Sequence, residues 1–221
     1  TTKSISDRIP DWSHHELGVQ TEFTLHAHPD LQVDSTTRNS VTVTCIGYVL
    51  DPYSPVHSTN NIIREIAEEI GDDTGVAKSI SRFTGRYVLI VEKSDAQIII
   101  PDPGALRPVL YGKADNEVVV TPSVKLVHEL FDISQKISNS KQDYISQADW
   151  WIGTGTDDDR LTRLLANHYL DLEKLSPARI PYYIPPVDDP IEHASHLLSG
   201  SIRAFVARFD NPHIWLSGGL D

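Results

Sequence analysis

Methionine is absent from the 221 residues, and cysteine occurs once, at Cys45. One thiol cannot close an intramolecular disulfide or supply a cysteine metal cluster, which excludes disulfide-stapled scaffolds and zinc ribbons and agrees with a reducing compartment. No apolar run approaches the roughly 18 residues of a membrane-spanning helix. The opening TTKSISDRIPDW has neither the apolar centre nor the cleavage site of a secretion signal, so a cytoplasmic location without a membrane partner is expected. Basic residues are short: 19 Lys and Arg face 31 Asp and Glu, a formal net charge of −12. That surface repels nucleic acid and anionic lipid, which removes nucleic acid as a partner class. The missing methionine, together with a final segment of a kind that normally opens a site, leads to the expectation that the gene product continues beyond Asp221.

What the chain does contain is enough apolar residue, 39%, to bury a core. Residues 1–20 are polar and mixed and read as an irregular arm. Strand signals begin at TEFTLHA and strengthen at SVTVTCIGYVL, Ser40 to Leu50, before DPYSP breaks the chain. Ile62, Ile63, Ile66, Ala67 and Ile70 then recur at helical spacing, with Asn60 or Asn61 as cap and Gly71 as the stop. RYVLIVE, AQIII and EVVV are short β-rich runs, and turns around Lys93 to Asp95 and Lys113 to Asn116 predict antiparallel hairpins. Their nearly continuous apolarity predicts cover on both faces. Helical patterns follow at Ser123 to Phe131 and near Gln142 to Trp151. The polar GTGTDDDR is read as a turn, with Asp157 to Asp159 capping a short helix that ends near Ala166, and HYLDLEKLSPARIPYYIPP adds two extended pieces.

The proline cluster Ile180 to Pro190 is the best boundary in the chain, because successive prolines resist both helix and central strand. Beyond it Asp189 caps a helix with Pro190 at its first position, and Ile191, Ala194, Leu197, Leu198, Ile202, Phe205 and Val206 share a face. Asp210, Asn211 and Pro212 end that helix, and HIWL runs as a short strand into Ser217, Gly218 and Gly219. Helix, turn, strand and glycine turn is how an α/β nucleotide-binding unit begins. The glycines permit close approach of phosphates, the hydroxyl and N–H groups can bind them, and Asp221 offers carboxylate oxygens to Mg. As a bare tripeptide, Ser-Gly-Gly is equally well an ordinary turn.

Ser217-Gly218-Gly219-Leu220-Asp221 resembles the SGGxDS pyrophosphate loop of ATP pyrophosphatases, the family that includes asparagine synthetases and β-lactam synthetases. Three upstream segments are similar to the asparagine synthetase pattern in the same order. They are Gly85 to Ile90 with Asp102-Pro103-Gly104-Ala105-Leu106-Arg107-Pro108-Val109-Leu110-Tyr111-Gly112, then Thr121 to Lys125, then Asn167-His168-Tyr169-Leu170-Asp171-Leu172. The resemblance implies an α+β fold: residues 1–184 as a degenerate glutamine-amidotransferase-like domain, a four-layer α-β-β-α antiparallel sandwich of the N-terminal-nucleophile-hydrolase kind. Residues 185–221 would be the first helix and strand of an α/β ATP pyrophosphatase domain. It further implies ATP and Mg as cofactors, with Ser217, Gly218, Gly219, Leu220 and Asp221 on the pyrophosphate. The partners it implies are small-molecule carboxylates and amines, and the reaction is amide formation through carboxylate adenylation; a homodimer stays open as the assembly.

Active amidotransferases of that class use an N-terminal cysteine whose own α-amine is the base. This chain begins Thr1-Thr2-Lys3, and Cys45, in CIGYVLD, is most simply a small hydrophobe inside a strand. Glutaminase activity is therefore expected to be lost. Two other classes remain open: a non-catalytic scaffold or dimerisation domain, and an N-terminal-nucleophile hydrolase using Thr1 or a Cys45 exposed by cleavage. Of the ten histidines, His26 and His28 fall on one strand face and His14 and His15 are adjacent, but spacing fixes no third ligand, so no metal site is expected there. Arg107 is expected to pair with Asp102.

Overall fold

A computed structural model describes residues 5–17, 23–71, 75–134, 153–181 and 186–213. Among them the chain is mixed α+β with antiparallel sheets. The largest sheet grows from β3 (Val33–Arg38), β4 (Val41–Leu50), β5 (Thr84–Lys93) and β6 (Ala96–Pro101), to which β10 (His168–Asp171) and β11 (Ser176–Arg179) add in the order β11-β10-β6-β5-β4-β3. β7 (Leu110–Ala114), β8 (Glu117–Thr121) and β9 (Leu161–Arg163) form a second sheet, and β1 (Ser13–Glu16) with β2 (Thr24–Ala27) a third. Two-residue turns set the registers. Asn39 and Ser40 between β3 and β4, and Asp115 and Asn116 between β7 and β8, all take positive φ, the backbone whose twist matches paired antiparallel strands.

β4 and β5 lie side by side at the middle of the six-stranded sheet, and their alternation delivers side chains to two covers. On one face Val43, Cys45, Tyr87, Leu89 and Val91 pack against Ile62, Ile63, Ile66, Ala67 and Ile70 of α2 (Thr59–Gly71). Ile80, at the end of the short helix α3 (Val76–Ile80), joins them. On the other face Val88, Ile90, Ile99 and Leu170 meet Val109, Tyr111 and Leu164, which come from the second sheet and its connections. The far side of that sheet holds a third cluster, Ala114 and Leu161 with Val127 of α4 (Val124–Phe131). The runs read as covered on both faces are covered on both faces.

Three sequence expectations are corrected. Within the supposed arm, Ile5–Arg8 forms a helical turn (α1) and β1 pairs with β2, because Leu17, just past the end of β1, carries enough apolar surface to anchor the hairpin. The stretch before Ala166 is strand β9 rather than helix: Thr156 Oγ1 donates to the carbonyls of Asp158 and Leu161, which turns the chain into the edge of the second sheet. α2 is capped by Ser58, whose Oγ accepts from the Asn61 N–H at 3.3 Å, two residues before Asn60, the nearer of the two asparagines proposed. Residues 142–151, the other helical expectation, lie outside the described residues.

The helix after the proline cluster is α5 (Pro190–Arg208), and Asp189 caps it as expected by accepting from the N–H groups of Ile191 and Glu192. It is held at three places. Gly200 sits where a Cβ would lie 2.0 Å from the Pro52 carbonyl oxygen, Phe205 and Phe209 meet the Tyr48 ring, and Arg208 donates to Gln32 and Thr59. Its apolar stripe is otherwise in solvent: Ile191, Leu198, Ile202 and Val206 are exposed.

Ile66 is fully buried between α2 and the sheet, so Ile66→Ala is expected to cost about 2–5 kcal/mol in urea unfolding. Gly200→Ala should lower stability despite alanine's better helix propensity, since the helix must move off Pro52; an unchanged urea midpoint would contradict this contact.

Candidate functional site

Short β-branched side chains on the two facing sheets do not fill the space between them. A cavity of about 510 Å³ remains, floored by Ile46, Val88, Ile90 and Ile99 and roofed by Val118, Val120 and residues of α4. The β1–β2 hairpin contributes Leu25, His26 and His28. α1 closes one side with Ile5 and Ile9, tied to α4 through Arg8, which donates to the Asp132 carboxylate and the Glu129 carbonyl. A cavity of this size, mostly apolar with a few polar groups, is the usual form of a small-molecule site.

Arg107 supplies the cation. It stands in the connection from β6 to β7, and Asp102, almost wholly buried, shapes that loop with its carboxylate: Oδ1 accepts from the N–H of Gly104 and Leu106, and Oδ2 from the N–H of Arg107, at 3.0–3.1 Å. The aspartate thus holds the arginine's backbone, and no ion pair joins the two side chains, which corrects the expected Asp102–Arg107 salt bridge. The guanidinium lies instead against Gly47, where a Cβ would come within 3.1 Å of Nε and Nη2 and 2.4 Å of the Arg86 carbonyl. Gly47 has φ +103°, so glycine is required there for backbone and space alike. Arg107 Nε is buried without a hydrogen-bond partner among the described residues. Burial, and after it the neighbouring Arg86, pulls the guanidinium pKa below its ordinary value. An under-compensated cation facing an apolar cavity can accept an anionic group of a ligand.

The sequence-predicted residues fall elsewhere. Ser217, Gly218, Gly219, Leu220 and Asp221 lie outside the described residues, as does Thr1. Cys45 is fully buried in the α2-facing cluster, opposite Leu89, and loss of solvation pushes its thiol up to about 12, with Asp34 adding to the shift. A thiol so placed is neither deprotonated nor reachable, so it is no nucleophile. Gly153 to Thr156 leads into the Thr156 turn already described, not a phosphate loop.

Two polar clusters are structural. Asp158, buried, accepts from His128 Nε2 at 2.8 Å and from Arg160, which pins α4 to the edge of the second sheet. Asp51, His57 and Glu65 present ligand atoms within 4.8 Å of one another, but the Arg82 guanidinium already serves both carboxylates and Glu69.

No protein-family model matches the chain, and no curated protein matches it. Among solved structures it is similar to glutamine phosphoribosylpyrophosphate amidotransferase from B. subtilis complexed with ADP and GMP, at 13% identity and a TM-score of 0.40. The match covers 72% of this chain and 32% of that one, so the chain spans about a third of that protein's length.

In the sequence Arg107 is a ligand-anchor candidate outweighed by pairing with Asp102, and the cavity it lines was not read there. A usable signal was present: Asp102 followed by Gly104 and Pro108 predicts a tight loop whose carboxylate is consumed by backbone N–H groups, which leaves Arg107 without its obvious partner.

The Cys45 thiol gives a direct test of the interior. Native protein should stay unmodified by a thiol-disulfide reagent at pH 8 and titrate one thiol in urea. Because the folded pKa is raised, the unfolded chain loses this proton first. Stability should then fall as pH rises from 9.0 toward about 12, by up to about 1.4 kcal/mol per unit for this group, and Cys45→Val should remove that increment in paired urea titrations.

Proposed function

We propose that residues 1–184 are a glutamine-amidotransferase-like domain that has lost glutamine hydrolysis, and that residues 185–221 begin an ATP pyrophosphatase domain of the asparagine synthetase kind. The gene product is then an ATP-dependent, amide-forming ligase that adenylates a carboxylate and passes it to an amine. The observation that carries this reading is a set of three apolar clusters, one between α2, α3 and the six-stranded sheet, one between that sheet and the three-stranded sheet, and one between the latter and α4, contacts that a four-layer α-β-β-α sandwich would use. The motif segments that resemble asparagine synthetases fall on β5, the Asp102 loop with β7, the start of α4, and β10.

Loss of glutaminase is supported by Cys45, whose thiol is sealed under α2 where glutamine has no access to it. The synthetase half rests on the Ser217 to Asp221 motif together with α5, whose exposed Ile191, Leu198, Ile202 and Val206 suit a helix of an α/β unit that packs further structure on its outer side.

The protein is expected to release no ammonia from glutamine. The gene product should release pyrophosphate from ATP when offered a carboxylate and an amine, and Ser217→Ala should reduce that release about a hundredfold or more. Failure to bind ATP, with no pyrophosphate across a broad panel of acceptors, would leave the sandwich as a scaffold and remove the ligase.

A further inference from the structure

On the β1–β2 hairpin His14 and His26 are direct cross-strand partners. Their rings are 4.8 Å apart, nearly perpendicular, and the two Nδ1 atoms face each other at 2.7 Å. Sequence spacing hid this, because His14 and His26 are twelve positions apart and only the hairpin register brings them together. His15, the neighbour that looked equally suitable, turns to Ser13 Oγ. His28 accepts from the Asp30 N–H and packs edge-on against Trp12, just beyond the Ser13–Ala27 pair that ends the ladder.

We propose that His14 and His26 form a two-imidazole site for a divalent transition metal of the Zn2+, Ni2+ or Cu2+ class, at the rim of the cavity that His26 lines. In the metal-free hairpin one ring donates its Nδ1 proton and the other accepts. A bound ion takes the place of that proton, so both Nδ1 lone pairs coordinate, and the donor ring carries its proton on Nε2 instead. Charge balances without redox change or net proton release. Metal–nitrogen bonds of about 2.0–2.1 Å separate two cis nitrogens by about 3 Å, so the 2.7 Å pair needs only a small side-chain rotation on a solvent-facing hairpin. Imidazole suits this class of metals, and water completes the coordination. The Nδ1–Nδ1 contact itself needs one ring to accept, so at least one imidazole of the pair presents a ring-nitrogen lone pair in the hairpin.

This site is independent of the ligase reading and is tested without it. Metal-free protein is titrated with Zn2+ alone by calorimetry, and the histidine ring nitrogens are followed by NMR in the unsubstituted chain. One Zn2+ per chain should bind, with the Nδ1 signals of His14 and His26 moving together. His14→Ala and His26→Ala should each weaken binding by at least about tenfold, the milder His14→Gln should do the same, and His15→Ala should leave it unchanged. Circular dichroism checks that each variant is folded. Absence of Zn2+ binding, or binding that survives both alanine variants or moves other histidines only, overturns the site.

Discussion

β5 must satisfy two apolar layers at once. At the centre of the six-stranded sheet its alternate residues face α2 and the second sheet, whereas its neighbour β4 is apolar toward α2 and on the other face presents Thr42 and Thr44, which pair with hydroxyls of β3, before Ile46. Cys45 illustrates the result. Its parity places it under α2, where a small apolar atom is wanted, and the same placement removes its reactivity. The opposite parity places Val88 and Ile90 at the floor of the cavity, where their short side chains leave room. Fold and site are in this sense two readings of one alternation.

Buried carboxylates in this interior are met by backbone N–H groups or by a neighbouring side chain. The Asp102 carboxylate is used up by three N–H groups of its own loop, and Glu92 accepts from Gln97 across the β5–β6 pair. Burial still raises the Glu92 pKa, against the lowering effect of that bond. The Nε atoms of Arg8, Arg82, Arg107 and Arg163 are buried without a hydrogen-bond partner among the described residues, and of these Arg107 lines the cavity, since its loop fixes the backbone and leaves the side chain to it. Buried polar groups are ordinarily paired, which makes an unpaired one in a cavity informative.

The sequence was legible where periodicity was long. The isoleucine repeat of α2, the runs of β4 to β6, the two hairpin turns and the Asp189-Pro190 start of α5 could all be read, because each rests on a local rule. β2 was legible too, as TEFTLHA alternates Phe23, Leu25 and Ala27 with polar residues, but its partner β1 was not, since SHHE carries no apolar alternation and the hairpin depends on Leu17 and Leu25 meeting a distant sheet. β9 was mistaken for helix because acidic residues before a leucine run mimic a cap, whereas Thr156 spends its hydroxyl on turning the chain. Of the site, Arg107 and the two histidines were visible as residue types; which groups they would meet depended on register and loop geometry. Ser217 to Asp221, which resemble a pyrophosphate loop in sequence, lie outside the described residues.

Gly47 has a consequence for how this protein can change. It faces no ligand and makes no side-chain interaction, yet any side chain there would drive into the Arg86 carbonyl and push Arg107 aside. The charged end of the cavity is therefore sized by an atom that is missing. Variants that retune what the cavity accepts have to arise on the roof, in β8 and α4, because the floor beneath the guanidinium has no spare volume to trade.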